Sequence, residues 1–522
     1  MSFAINLDTP LLRLAAQDYF TLRDAVQGVS IMGGIGSGKT SGSGKALAAA
    51  YLRAGMGGVI LCAKPEEAEL WRQYCAEHGR SRSLIEFDGS RAGFNFIAYE
   101  LARQGAEGLN SVVECLMRVL EMARAASPSP GRAGDVFWED TTRQILRNTI
   151  PVLYAATGTV RIEDVLRFVR SAPTSPQQLI DRAWQGRSDF FARFFEARPH
   201  IDEATGARTV SYWADDFATL DAKTRGNILI SLTTALDRFN HGWLQRAFCA
   251  ETTIVPELTF HGAIILLNMP ALTRNEDGIV AQQLFKYMWQ RAVLARNVLP
   301  PQHRERPVFL WADEAQYFVN SYDAEFLSTA RGSRACTVYL SQSLPTYYAK
   351  IQGENAHDRV HHLLGNFATR IWHSNACAET NEWAARTLGK ALHQRASYNE
   401  SENTSETTNR GINEGRNWGQ SSGSSHGWSS SSQGGSSTGS FNSGTNSGGN
   451  EGWNRGRGES ESRGSTRGYS EQMDFVLQPA SFGSIFKTGG PANAHRVSAM
   501  WYQAGRTFAA SRGNALLAEF RQ

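Results

Sequence analysis

Gly33-Gly34-Ile35-Gly36-Ser37-Gly38-Lys39-Thr40 matches G-x-x-x-x-G-K-[ST], the pattern of a loop whose backbone amides close around a nucleotide's phosphates. Gly28-Val29-Ser30-Ile31-Met32 runs into it, short and apolar enough for a buried strand. Ala46-Leu47-Ala48-Ala49-Ala50-Tyr51-Leu52-Arg53 follows and reads as the body of a helix that ends near Gly55. Strand, glycine loop and helix together give the motif its context. The glycines let consecutive amides turn inward on an anion, and the helix dipole adds partial positive charge. Lys39 then reaches the β- and γ-phosphates, and the Thr40 hydroxyl is placed to ligate Mg2+. A second run, Gly42-Ser43-Gly44-Lys45, has no strand before it and reads as helix surface.

The whole chain has 522 residues, enough for two or more domains. A formal net charge of +3 is nearly balanced, so composition alone does not mark a nucleic-acid binder. Only 8 of the 53 basic residues are lysine, and an arginine skew of this kind commonly reflects genome composition. Six scattered cysteines without a C-x-x-C pair fit a reducing compartment and give no zinc signature. The N-terminus has no basic region followed by an apolar run, and no stretch nears the ~18 apolar residues of a membrane span. The expected location is the cytoplasm, with any inner-membrane association made through partners.

Residues 1–98 read as an N-terminal cover, through Leu11, Leu12 and Leu14, and the first half of a nucleotide-binding domain. Strands are expected at Gly57–Ala63 and Ser83–Asp88, with Phe94-Asn95-Phe96 closing that half. Residues 99–255 change to helical periodicity, with Val112, Leu116, Val119, Leu120 and Ala123 on one face. Gln178–Glu196 and Lys223–Phe239 are expected as further helices, and Ser127-Pro128-Ser129-Pro130-Gly131 as a loop. The Phe190, Phe191, Phe194 and Phe195 stripe is expected in the core of this block, an inserted all-α domain.

Residues 256–396 return to the sheet. Ala263–Met269 is a strand and Gly278–Arg296 a helix. Pro307-Val308-Phe309-Leu310-Trp311-Ala312-Asp313-Glu314 is an apolar strand ending in two carboxylates. Asp313 there can hold the magnesium shell, and Glu314 can orient and polarise an attacking water. Cys336–Gln342 is another strand ending in Gln342, a position that sits beside the γ-phosphate in nucleotide motors. Arg331 and Arg334 lie upstream, each either a surface arginine or a finger reaching a neighbouring subunit. Thr369–Ser374 is expected to be the last strand of this sheet. Residues 397–470 are low in complexity, rich in Ser, Gly and Asn around Trp418, Trp428 and Trp453. They read most simply as a flexible segment, a long surface hairpin being the lesser alternative. Arg455-Gly456-Arg457-Gly458 hints only weakly at nucleic acid. Residues 471–522 return to the ATPase domain, Arg496–Phe508 supplying one or two closing strands.

With these pieces placed, the chain resembles the coupling-protein ATPases of conjugative type IV secretion, the TraG/TraD group of the FtsK–HerA superfamily. The match is carried by Gly33–Thr40 with Ser41–Lys45, Phe94-Asn95-Phe96, Phe137-Trp138-Glu139 and Trp311-Ala312-Asp313-Glu314-Ala315-Gln316. Leu340-Ser341-Gln342-Ser343 and Leu363-Leu364-Gly365-Asn366 follow in the family's order. The resemblance runs from about residue 20 to 395 and resumes after 470. It implies a RecA-like P-loop domain with a mostly parallel sheet, an inserted all-α domain, ATP and Mg2+ as cofactors, and a homo-hexameric ring around DNA. It further implies a relaxase or other transfer-complex proteins and secretion-channel components as partners. By position it makes Arg331 the trans-acting arginine. Two features depart from the family: membrane-spanning helices, which usually come first, and Asp-Pro-Lys after the second strand. The latter reads Cys62-Ala63-Lys64 here, so an acidic contribution is missing.

Three functions compete: an ATP-driven DNA pump, a ring ATPase acting on protein substrates, and a nucleotide-dependent recognition scaffold. Glu314, Lys39, Gln342 and Asp313 together speak against a scaffold, which has no use for a water-positioning carboxylate. Nothing in the sequence separates the first two.

Overall fold

The computed structural model describes residues 6–126, 135–351, 355–409, 421–430, 437–446 and 456–522. The Ser127–Gly131 stretch, Trp418, Trp453 and Arg455 lie outside the described residues. By contacts the chain divides into one unit of residues 1–384 with 479–522 and a second of residues 385–478.

The first unit is built on a nine-stranded sheet. Its strands are β1 (Val29–Met32), β2 (Gly57–Leu61), β3 (Leu84–Phe87), β4 (Ile264–Leu267) and β5 (Val308–Ala312), then β6 (Ala335–Ser341), β7 (Thr369–Trp372), β8 (Arg496–Gln503) and β9 (Ala515–Arg521). In space they run β9-β8-β7-β1-β6-β5-β2-β4-β3. β7 through β3 are parallel throughout, and β8 and β9 add antiparallel at one edge. Sequence and burial agree. β1, β2, β4, β5 and β6 are buried at every position, as strands covered on both faces must be. β9 alternates buried and exposed side chains, Leu516, Ala518 and Phe520 turning inward, as a half-solvated edge does.

One core joins distant segments. Leu47, Ala48, Tyr51 and Leu52 of the helix Lys45–Arg53 pack with Ile31, Phe309, Leu340, Ile371 and Trp501 from the sheet. An N-terminal hairpin pairs Pro10–Arg13 with Tyr19–Thr21 and lays Leu11, Leu12 and Leu14 on this core.

Between β3 and β4 the described residues hold helices and no strand. Val112, Leu116, Val119, Leu120 and Ala123 of Leu109–Ala126 are all buried. An aromatic cluster holds this block together, with Phe168 4.6 Å from Phe190 and Trp213 4.7 Å from Phe217 between ring centroids. The single helix expected over Gln178–Glu196 is instead three pieces, Pro176–Ile180, Arg182–Gln185 and Asp189–Ala197. Asp181 and Ser188 cause the break, since each side chain caps a new helix start by accepting an amide hydrogen from Ala183 and from Phe191. Phe190 is in the core, but Phe195 turns out to solvent, 68% exposed.

Two more expectations change at the sheet. β7 is followed in space by β8 and β9, so Thr369–Ser374 is an interior strand, not the last. The helix after β4 starts earlier, Ala271–Ala295, with a kink at Asn275 where φ is 50°.

In the second unit, Lys390–Asn409 pairs antiparallel with Gly456–Phe475, and Ser421–Ser430 with Ser437–Asn446.

Candidate nucleotide site

The C-terminal ends of β1, β2, β5 and β6 lie side by side, and each carries one part of the site. β1 leads into the glycine loop. Gly36 and Gly38 have φ of 72° and 82°, the left-handed region that a side chain resists. The Gly33 amide donates to the Ser341 carbonyl at 3.2 Å and the Gly34 amide to Ser374 at 2.9 Å, pinning the loop to both flanking strands. Ile35 stands at the tip, 89% exposed. A 250 Å³ cleft lies over the loop, lined by Gly34, Gly36 through Ser41, and by Leu70 and Tyr74 of the helix Pro65–Glu77.

The run Gly42-Ser43-Gly44-Lys45, expected on the helix surface, is buried over its first three residues. A Cβ at Gly42 would come within 2.8 Å of Val497, and one at Gly44 within 2.9 Å of the Lys39 carbonyl. Ser43 Oγ hydrogen-bonds His373 Nε2 at 2.7 Å. These small residues let β8 and the loop after β7 press against the base of the glycine loop. The partners of Gly42 and Ser43 lie more than three hundred residues away in sequence, so no local pattern reveals those contacts.

Facing the loop is the end of β5. The Thr40 hydroxyl donates to Asp313 Oδ2 at 2.7 Å. A hydroxyl and a carboxylate oxygen meeting at the mouth of a phosphate loop are hard donors that fit Mg2+. Glu314 takes a left-handed backbone, φ 49°, which swings its side chain back over the site. It is 3% exposed and fully engaged. Its Oε1 accepts from Lys64 Nζ at 3.1 Å and from Gln342 Nε2 at 3.1 Å, with Lys39 Nζ 3.9 Å away. Its Oε2 accepts from Gln316 Nε2 at 2.9 Å. Burial pushes the Glu314 carboxyl up, but the Gln316 hydrogen bond, the Lys39 charge and the bonds from Gln342 and Lys64 outweigh it and hold it below its ordinary value.

The structure therefore gathers Gly33, Gly34, Gly36, Ser37, Gly38, Lys39, Thr40, Asp313, Glu314 and Gln342. Arg331 is not among them. It is exposed in the turn Ala330–Ser333 ahead of the N-terminal end of β6, whereas Gln342 follows the C-terminal end. Seven residues at about 3.3 Å each put roughly 20 Å between the two. Arg334 is tied to the Glu305 carbonyl at 2.8 Å.

Sequence reading left out Gln316, Lys64 as a partner of Glu314, His373 and Asn375. Lys64 was signalled by its place just past β2, and Gln316 by sitting two residues beyond Glu314. A buried carboxyl group, Glu67, stands one helical turn past Lys64. Glu67 Oε2 accepts the Ala63 amide at 2.8 Å, and burial, then the charge of Asp313, push its pKa up to about 8.

No family model and no curated protein sequence matches the chain. Solved structures do. The bacterial conjugative coupling protein TrwBdeltaN70, in its unbound form, superposes with TM-score 0.53 at 12% identity, covering 99% of this chain and 89% of that one. The same protein in complex with sulphate gives TM-score 0.52 at 12% identity, over 99% and 90%. VirB4 of Thermoanaerobacter pseudethanolicus aligns at TM-score 0.41 and 13% identity, over 70% of this chain and 85% of that one. At such identities the likeness speaks for architecture, and the architecture of this chain, a mostly parallel P-loop sheet with helices between β3 and β4, is that of the conjugative coupling protein TrwB.

Proposed function

We propose that this chain is a Mg2+-dependent ATPase motor of a conjugative or type IV secretion-like system, coupling hydrolysis to the movement of DNA. The observation that carries the chemistry is the Thr40 hydroxyl on Asp313 with Glu314 beside it, at strand ends that meet only in the folded chain. Amides of Gly36, Gly38, Lys39 and Thr40 hold the phosphates and the Lys39 side chain answers their charge. Thr40 and Asp313 hold Mg2+, which when bound neutralises phosphate charge and aligns the transferring group. Glu314, kept ionised, polarises water, and Gln342, within reach of Glu314, sits where loss of the γ-phosphate is felt.

The system-level part of this reading rests on the motif order and on a fold shared with a conjugative coupling protein. It takes residues 99–255 as a helical insertion between motor segments 1–98 and 256–396, with 471–522 returning to the motor. A homo-hexameric ring, DNA inside it, and relaxase and channel proteins as partners complete the proposal.

The test is ATP turnover with and without Mg2+, and with single- or double-stranded DNA at several salt concentrations, in wild type and Glu314→Gln. That variant keeps the shape of the side chain and removes the charge that polarises water. Turnover should fall roughly a hundredfold or more, as on loss of a catalytic base, with ATP affinity close to wild type. Wild-type turnover in the variant would refute the role of Glu314. Turnover indifferent to DNA at every salt concentration would refute the DNA motor and leave an ATPase acting on protein.

A further inference from the structure

Three consecutive residues after β7 touch both halves of the reaction centre. The His373 amide donates to the carbonyl of Met32, the last residue of β1, at 2.8 Å and continues the pairing of β7 with β1 for one residue beyond β7. Its ring, fully buried, lies 2.7 Å from Ser43 Oγ beneath the glycine loop. The Ser374 carbonyl accepts the Gly34 amide at 2.9 Å. Asn375, 6% exposed, then turns to the other side, its Nδ2 donating to the Gln342 carbonyl at 2.8 Å. Asn375 is itself held from three directions. Its Oδ1 accepts the Cys377 amide at 2.9 Å, its carbonyl accepts Asn381 Nδ2 at 2.9 Å, and its amide donates to the Phe482 carbonyl at 3.2 Å.

We infer that His373-Ser374-Asn375 is a positioning element coupling the phosphate loop to Gln342: His373 and Ser374 hold the loop, and Asn375 holds the backbone that aims Gln342. None of the three lines the cleft over the glycine loop. The choice of asparagine follows from the contacts. One side chain must donate to a carbonyl and accept from an amide at once, and an amide group does both. A buried turn fixed at both ends moves as one body, so a shift at Gly34 and Ser43 is carried to Gln342, where displacement of about 1 Å is enough to matter for catalysis. This inference rests on the ATPase reading above.

The test uses the full chain. Asn375→Asp keeps the size of the side chain but sets an oxygen against the Gln342 carbonyl. Its turnover should fall roughly tenfold or more with KM and the affinity for a fluorescent ATP analogue within about twofold of wild type. His373→Leu should show the opposite split, weaker binding of the analogue with a smaller loss of kcat. Asn375→Asp added to Gln342→Ala should cost no more than Gln342→Ala alone, because the first acts through the second. Unchanged kcat in Asn375→Asp, equal loss of kcat and affinity, or multiplicative losses in the double variant would each overturn the coupling. Should Asn375→Asp lack a cooperative melt, Asn375→Ser carries the same comparison. An active wild type beside an indifferent Asn375→Asp sinks this inference alone. An inactive wild type sinks the ATPase reading and this one together.

Discussion

Glu314 is held below its ordinary pKa although burial acts to raise it, because four hydrogen-bonding or cationic neighbours converge on two oxygens. His373 is the reverse case. Burial, helped by the charge of Lys39 and opposed by the Ser37 backbone, lowers its pKa to about 3, so it is neutral in the folded protein. The unfolded imidazole takes up a proton below its ordinary value near 6.5, and the folded one does not until about 3. The unfolded state therefore gains protons first as pH falls. The stability that His373 contributes is complete above about pH 6.5 and drains away toward pH 3. His373→Gln should show a flatter decline of melting temperature between pH 7.5 and 5 than wild type does, measured by thermal melts across that range. Parallel curves would mean the imidazole is protonated in the fold after all.

At the scale of an element, the helix Ala271–Ala295 is the frame on which the strand ends are hung. Gln282 bonds both the amide and carbonyl of Cys62 past β2, at 2.7 and 2.9 Å. Gln283 donates to the Tyr317 carbonyl, and Lys286 to the Phe318 carbonyl at 2.6 Å, just beyond Glu314. Lys286 is also ion-paired with Asp323, both fully buried. Asp323 further accepts from Gln290 and Tyr339 at 2.8 Å and from the Asn320 amide at 2.7 Å. Removing one partner of a buried pair leaves a charge uncompensated. Lys286→Met should cost about 3–5 kcal/mol in denaturant unfolding, and adding Asp323→Asn should recover part of it. Simply additive losses would show that the two charges are not coupled. The sequence marks this helix clearly, yet its hydrophobic periodicity hides the role, because the polar residues it buries are spaced like surface ones.

For the whole molecule two expectations follow. Arg331 lies at the end of β6 away from its own Gln342, so within a ring any site it completes belongs to a neighbour. Arg331→Ala should abolish hydrolysis and spare ATP binding, and mixing it with Lys39→Ala subunits should restore partial turnover. Arg334→Ala, losing a contact to the Glu305 carbonyl, should be milder. A mixture that stays inactive although mixed rings form, or an essential Arg334, rules Arg331 out. The second expectation concerns residues 400–469. The main core draws on residues 20–371 and 499–520, so replacing 400–469 by a short Gly/Ser linker should leave the melt and the ATPase rate near wild type. A lost melting transition would show that the segment is needed for folding.

What the sequence determined by itself was local. A glycine loop between an apolar strand and a helix, and two acids at the end of a second apolar strand, are readable because backbone conformation and periodicity are written in neighbouring residues. The parallel α/β fold follows from runs of buried, β-branched residues alternating with helices. What tertiary structure alone decided was convergence. Lys64, Gln316 and Gln342 meet on Glu314, Val497 presses on Gly42, and His373 and Asn375 bridge the loop to the end of β6. Apart from Gln316, two residues from Glu314, these contacts span tens to hundreds of residues, and hydrogen bonds and close packing depend on distance in space, which the order of residues along the chain does not encode.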